Sequence, residues 1–198
     1  MKILHLISSP RGAESISLKL GNAIVEKLQV ANPGSTLVTK DLALNPFPHL
    51  EEVHVTSFFT PAEQHSPELA EAIKHSDEAI AELMDAEAIV IDAPVYNFQI
   101  PSTLKAWIDH ICRANKTFSY SANGPEGLVK GKKVYVSISS GGIYSHGPMK
   151  PYDFIEPYLR GVLGFLGMTD ITVYRAEGLK VPGVGEHALE NAIDGIVV

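Results

Sequence analysis

The feature that most constrains the fold is a repeated alternation of two patterns. Short apolar runs occur at "KILHLI" (2–7), "STLVTKDL" (35–42), "AIVIDA" (88–93), "KKVYVSIS" (132–139) and "DITVYRA" (170–176). They are rich in Val and Ile, and three show little polar alternation, as strands buried on both faces do. Helical patterns lie between them. Leu18, Ile24, Val25 and Leu28 share a face in 16–30, and Leu69, Ile73, Ile80, Leu83 and Met84 share one in 67–85. Leu104, Trp107, Ile108, Ile111 and Cys112 do so in 101–115, and Ile155, Tyr158, Leu159, Val162, Leu163 and Leu166 in 154–166. A weaker helix runs over 184–194. Pro101 and Pro157 suit first helical turns, and Gly167 suits the position just past a helix end. Five strand–helix units predict an α/β fold: a doubly wound parallel sheet with helices on both faces and strand order 2-1-3-4-5. Ligands then bind beyond the carboxyl ends of strands 1, 3 and 4.

The chain has 198 residues, enough for a single domain over 1–198. A net charge of -7 argues against nucleic acid as a partner, because phosphate-backbone binding needs a basic footprint. The single cysteine, Cys112, has no partner for an intramolecular disulfide, and no Cys/His cluster has metal-site spacing. Its place on an apolar helix face predicts an inert core thiol. No run approaches the length of a membrane span, and the N-terminus lacks the apolar core of a signal peptide. The expectation is a soluble, cytoplasmic protein without a metal.

Three loops fall at the expected ligand end. The first, "SSPRGAESIS", opens a helix, whose free N–H groups and dipole favour an anion. Ser9, Ser15 and Ser17 add hydroxyl donors, with Arg11 nearby. The loop lacks both G-x-x-x-x-G-K-[ST] and G-x-G-x-x-G, so a small terminal phosphate fits better than a triphosphate or a dinucleotide. A plain N-capping serine box is the simpler alternative. The second loop carries Tyr96, Asn97 and Phe98, a polar turn flanked by aromatics and suited to a flat heterocycle. The third, "SISSGGIYSHGP", places Gly141 and Gly142 where backbone N–H groups can approach a ring carbonyl, with His146 as its titratable side chain. A phosphate socket beside a site for a flat ring matches flavin mononucleotide (FMN).

The stretches "SSPRGAESISLKL", "APVYNFQIPSTLKAWIDHICRANKTFSY", "GPEGLVKGKK", "SSGGIYS" and "PYLRGVLGFLGM" resemble the FMN-dependent NADH:quinone oxidoreductases known as azoreductases. The resemblance implies a flavodoxin-like homodimer with FMN near the interface, reducing quinones or azo compounds by a ping-pong cycle with NADH or NADPH. It implies phosphate contacts from Ser9, Ser15, Ile16 and Ser17. It also implies ring contacts from Pro94, Val95, Tyr96, Asn97, Phe98 and Gln99, and from Ser139, Ser140, Gly141 and Gly142. Many relatives carry an acidic residue at the position of His146, whose supporting role is therefore open. Arg11, Lys150 and Arg175 are candidate contacts to the 2′-phosphate of NADPH.

Two connections, 42–66 and 116–131, are long for bare loops and carry Phe58, Phe59, Phe118 and Tyr120. Leaving phenylalanines in water is costly. These four aromatics are expected to line a substrate pocket, with Phe58 or Phe59 supplied across a homodimer interface. Anchoring of the loop on its own subunit is the alternative. No catalytic dyad is expected, since the flavin carries the chemistry. Two rivals remain: a non-enzymatic flavodoxin-like electron carrier, and a phosphate-ester hydrolase or kinase. The second would need a nucleophile or a metal site near the first loop, where Asp41 and Asp92 have no evident metal partner.

Overall fold

The computed structural model describes residues 1–122 and 124–198. In chain order its strands are β1 (Lys2–Ile7), β2 (Thr36–Asp41), β3 (Ala88–Pro94), β4 (Phe118–Ser121), β5 (Gly124–Gly127), β6 (Lys133–Ser139) and β7 (Asp170–Ala176). Five form one parallel sheet in the order β2-β1-β3-β6-β7, which is 2-1-3-4-5 when only its own strands are counted. β4 and β5 form a separate antiparallel hairpin. The helices are α1 (Ile16–Ala31), α2 (Glu52–Phe59), α3 (Pro67–Ala72), α4 (Lys74–Asp85), α5 (Ser102–Ile111), α6 (Ile155–Phe165) and α7 (Ala188–Asp194).

The period-two geometry of strands divides the core. Ile3, Val90 and Tyr135 face Leu20, Ile24 and Leu28 of α1, with Ile196 beside them. Leu4, Leu6, Ile89, Ile91, Val134 and Val136 point the other way, onto Leu83, Leu104, Trp107, Leu159 and Leu163 of α4, α5 and α6. β3 is buried along its whole length, as its unbroken apolar run requires. Each large side chain so buried contributes about 1.5–3 kcal/mol.

The departures from the sequence expectations have local causes. The helix expected over 67–85 is divided at Ile73, yet Ile73 keeps helical dihedrals and its carbonyl still accepts the Asp77 N–H. α5 stops at Ile111 because the Thr117 hydroxyl accepts the Arg113 N–H and donates to the Ile111 carbonyl. Pro101 caps that helix rather than opening it. The last helix begins at Ala188 rather than near 184. Connection 42–66 contains α2, and connection 116–131 contains the hairpin. Gly167 follows α6 at φ +105°. There the Met168 N–H bonds to the Leu163 carbonyl and the Gly167 N–H to that of Gly164, a Schellman ending.

Candidate active site

The carboxyl ends of β1, β3 and β6 converge on one cleft. After β1 the chain makes a 3-10 turn (Gly12–Glu14), and α1 starts behind Ser15, whose Oγ accepts the Leu18 N–H at 3.3 Å. Among the described residues no acceptor meets the N–H groups of Ile16 or Ser17, although Ser17 is 0% exposed. Buried donors left open at a helix N-terminus make a socket for an anion. Ser9, Arg11, Ser15 and Ile16 line it. Ser17 is fully buried with its hydroxyl 3.0 Å from Ser15 Oγ, so its side chain backs the socket wall and does not line it.

A buried polar cluster lies beneath. Strand register sets Asp92 beside Ser137, and His5 comes from the neighbouring strand. His5 Nε2 is 2.9 Å from Asp92 Oδ2. Ser137 Oγ is 2.7 Å from Asp92 Oδ1 and 2.8 Å from the Ser17 carbonyl oxygen. Ser8 Oγ donates to the Asp92 carbonyl at 2.5 Å. Burial raises the Asp92 pKa, and the His5 hydrogen bond opposes it. α1 approaches this cluster closely enough that a Cβ on Gly21 would lie 1.9 Å from Asp92 Oδ1.

The loop after β3 is a two-residue hairpin. Tyr96 and Gln99 exchange backbone hydrogen bonds at 3.0 Å in both directions. Asn97 and Phe98 between them have φ of 49° and 68°, the signature of a type I′ turn. Holding two non-glycine residues in the left-handed region stores strain, typical of a loop shaped for a ligand. The N–H groups of both residues have no acceptor among the described residues.

The loop after β6 is fixed by its carbonyls. Those of Ser140, Gly141 and Gly142 accept the N–H groups of Leu179, Lys180 and Gly178 at 2.9–3.1 Å. The N–H groups of Gly141 and Gly142 stay free among the described residues. Farther along, the Glu177 carboxylate accepts the N–H groups of Tyr144 and Ser145 at 3.0 and 3.1 Å. Arg175 holds Glu177, Asp153 and Glu156 together at 3.0, 2.8 and 2.5 Å. Burial works against ionisation of Glu156, but its hydrogen bonds to Arg175 and Arg160 keep its pKa below the usual value.

Ser9, Arg11, Ser15, Ile16, Pro94, Val95, Tyr96, Ser139, Ser140 and Gly141 thus line one cleft of about 130 Å³, together with Leu179 and Lys180. Tyr96 also borders an adjoining cleft of about 470 Å³ with Asn97, Ile100 and Pro101. Phe98 packs edge-on to Tyr144 and tilted against Tyr152, bridging the second and third loops. Sequence reasoning passed over Leu179, Lys180, Tyr144 and Glu177. The stretch after β7 that holds Glu177, Leu179 and Lys180 carries no adjacent glycine pair or hydroxyl cluster to flag it, and only the β6–β7 pairing brings it to the cleft.

Other expected residues lie elsewhere within the chain. His146 is exposed, 2.9 Å from Ser145 Oγ, and borders a separate cleft with Ile143, Arg175 and Glu177. Phe58 packs edge-on to His110 with Arg113 over its ring at 5.1 Å, so α2 is anchored on its own chain. Phe59 is 78% exposed. Phe118 packs against Phe165 and Tyr120 on the hairpin side of α6. Of the candidate 2′-phosphate contacts, Arg175 is consumed by three carboxylates and Lys150 pairs with Asp153.

A family model described as flavodoxin-like fold matches residues 1–197. The chain is 48% identical over 193 residues to an FMN-dependent NADH:quinone oxidoreductase of Mesorhizobium japonicum, covering 98% of this chain and 90% of that protein. It is 47% identical over 195 residues to a protein of the same name from Nostoc sp., covering 98% and 93%. Among solved structures, an azoreductase from Bacillus anthracis superposes with a TM-score of 0.91 at 28% identity, covering 98% of this chain and 95% of the other. An FMN-dependent NADH-azoreductase from the same species, solved in complex with FMN, superposes with a TM-score of 0.86 at 25% identity, covering 98% and 97%. The chain belongs to the flavodoxin-like family that includes the FMN-dependent NADH:quinone oxidoreductases and azoreductases.

Proposed function

We propose that this protein is an FMN-dependent oxidoreductase that reduces quinones and azo compounds with NADH, the whole chain acting as one FMN-binding unit. The observation that carries this reading is the set of unpartnered backbone donors, those of Ile16 and Gly141 on the cleft wall and those of Ser17 and Gly142 next to them in the chain. The residues present fit the cofactor. Ile16 and Ser17, with the hydroxyls of Ser9 and Ser15, would hold its phosphate, and Arg11 supplies charge. The amides of Asn97, Phe98, Gly141 and Gly142 would meet the polar edge of its ring, with Tyr96 and Phe98 beside it. When bound, FMN supplies the redox chemistry, accepting two electrons from NADH and passing them to the acceptor. The protein binds, orients and excludes water, and so needs no catalytic dyad.

The partner subunit is part of the same reading. Phe59 stands out of α2 with Val55 one turn before it, exposed apolar side chains suited to a second copy. A homodimer in which Phe59 of one copy reaches the acceptor site of the other completes a pocket that one chain leaves open. No helix of the described residues is long and apolar enough to cross a membrane, and a cytoplasmic location agrees with a lone, half-buried free thiol. With Arg175 and Lys150 both paired and Arg11 beside the flavin phosphate, none of the three candidate cations is left for a 2′-phosphate, which favours NADH.

The test is reconstitution. Apo-protein titrated with FMN is expected to quench flavin fluorescence stoichiometrically, and the holo-protein to turn over NADH with a quinone. Double-reciprocal plots at several quinone concentrations are expected to be parallel, because donor and acceptor share one face in turn. Intersecting lines overturn the shared site. FMN binding without NADH turnover identifies an electron carrier instead, and no FMN binding refutes the assignment.

A further inference from the structure

Lys180 is a charged residue on the cleft wall that neither the loop motifs nor the resemblance brought forward. Its backbone N–H donates to the Gly141 carbonyl at 2.9 Å. Its side chain lies over Gly141, where an added Cβ would come within 2.9 Å of Lys180 Cγ. The glycine at 141 is thus needed to admit the lysine stem, besides leaving the backbone open to a ligand. Lys180 has no ion pair or side-chain hydrogen bond among the described residues, in contrast to Arg175 and Lys150 nearby. The side chains lining this cleft include two cations, Arg11 and Lys180, and no carboxylate.

The two cations belong to different loops. Arg11 stands with Ser9, Ser15 and Ile16 at the helix N-terminus, where an anion is already well provided for. Lys180 is fastened to the Ser139–Gly141 wall, beside amides that face the ring in the proposed function. Whatever accepts two electrons in this cleft gains negative charge there. A positive charge on that wall favours the reduced state over the oxidised one, through a differential interaction that uniform binding does not provide.

We propose that Lys180 is an electrostatic tuning residue that makes the bound cofactor easier to reduce. This rests on the FMN reading above. The experiment compares wild type, Lys180→Met and Lys180→Arg, all reconstituted with FMN. The readouts are the affinity for oxidised FMN and the midpoint potential by dye equilibration, each at low and high salt. Lys180→Met is expected to bind oxidised FMN within about threefold of wild type. Its preference for reduced over oxidised FMN is expected to fall about tenfold, a potential lower by about 30 mV for a two-electron couple. Lys180→Arg is expected to keep the wild-type potential. The wild-type to Met difference is expected to shrink at 0.5 M salt, because a largely exposed charge is screened, which a packing defect would not do. An unchanged potential in Lys180→Met overturns the proposal while leaving FMN binding by the wild type intact. So does an equal loss of affinity in both redox states, which would place Lys180 on the phosphate. A wild-type protein that takes up no FMN overturns the flavin reading, and this proposal with it.

Discussion

Gly21 is a position at which two physical rules give opposite signs. It lies inside α1, and helix propensity alone predicts that Gly21→Ala stabilises the protein by about 0.8–1 kcal/mol. The structure predicts the reverse. The new methyl carbon would sit 1.9 Å from Asp92 Oδ1 and 2.9 Å from His5 Nε2, distances that no rotamer change at Ala relieves. Asp92 is 0% exposed and hydrogen-bonded to both His5 and Ser137, so it has no room to swing aside. Either α1 lifts, at an overpacking cost of about 1–3 kcal/mol, or the carboxylate loses a partner, at about 1–3 kcal/mol for a buried group left unsatisfied. With both in play, less the propensity gain, the net loss is about 1–5 kcal/mol, a Tm lower by roughly 2–20 °C for a chain of this size. Because Ser137 also contacts the Ser17 carbonyl, the displacement is transmitted to the anion socket, and FMN affinity is expected to fall as well. Thermal and urea unfolding of the apo-protein, with FMN titration below the transition, measure both. A Gly21→Ala variant as stable as wild type, or more so, would refute the close-contact argument.

Ser15→Ala removes the α1 cap and the partner of Ser17. It is expected to weaken FMN binding by about 1–2 kcal/mol in fluorescence titration, with a smaller loss in Ser17→Ala, whose hydroxyl lies behind the wall. The Glu156 carboxyl has a lowered pKa in the folded state, so its contribution to stability is present above the unfolded value near 4.5 and is lost as pH falls through the lower folded value. Arg175→Met is therefore expected to flatten that acid-side decline in urea midpoints measured between pH 3 and 7. Burial pushes the Cys112 thiol up to about 11. At pH 8 it is expected to react with a small thiol reagent about 100-fold more slowly than free cysteine, judged from thiolate fraction alone. Mixing Phe59→Asp with Asn97→Asp, each expected to be inactive, is expected to restore activity as subunits exchange. A fully active monomer in analytical ultracentrifugation would end the shared-site reading.

Much of this molecule was legible in the chain because its main signals are local. β3 is an unbroken apolar run, and that alone marks a strand covered on both faces. α5 and α6 repeat their apolar residues at helical spacing, and Gly167 sits where a left-handed residue must follow a helix. Strand–helix alternation then leaves few topologies, since parallel crossovers have one hand. The loops on the binding end followed from that order, and Ser9, Ser15, Tyr96 and Gly141 do meet on one cleft. The tertiary structure decided what depends on partners distant in sequence. Ser137 holds the Ser17 carbonyl from a cluster with His5 and Asp92, and no local pattern announces a cluster assembled from three strands. Lys180 reaches the cleft only because β7 pairs with β6, which carries the segment after one strand alongside the segment after the other. Phe58 and Phe59 are neighbours of the same type, yet one is half-buried against its own chain and the other faces out. A helix turns about 100° per residue, so the docking of α2 on His110 and Arg113, rather than residue type, determines which phenylalanine is left exposed.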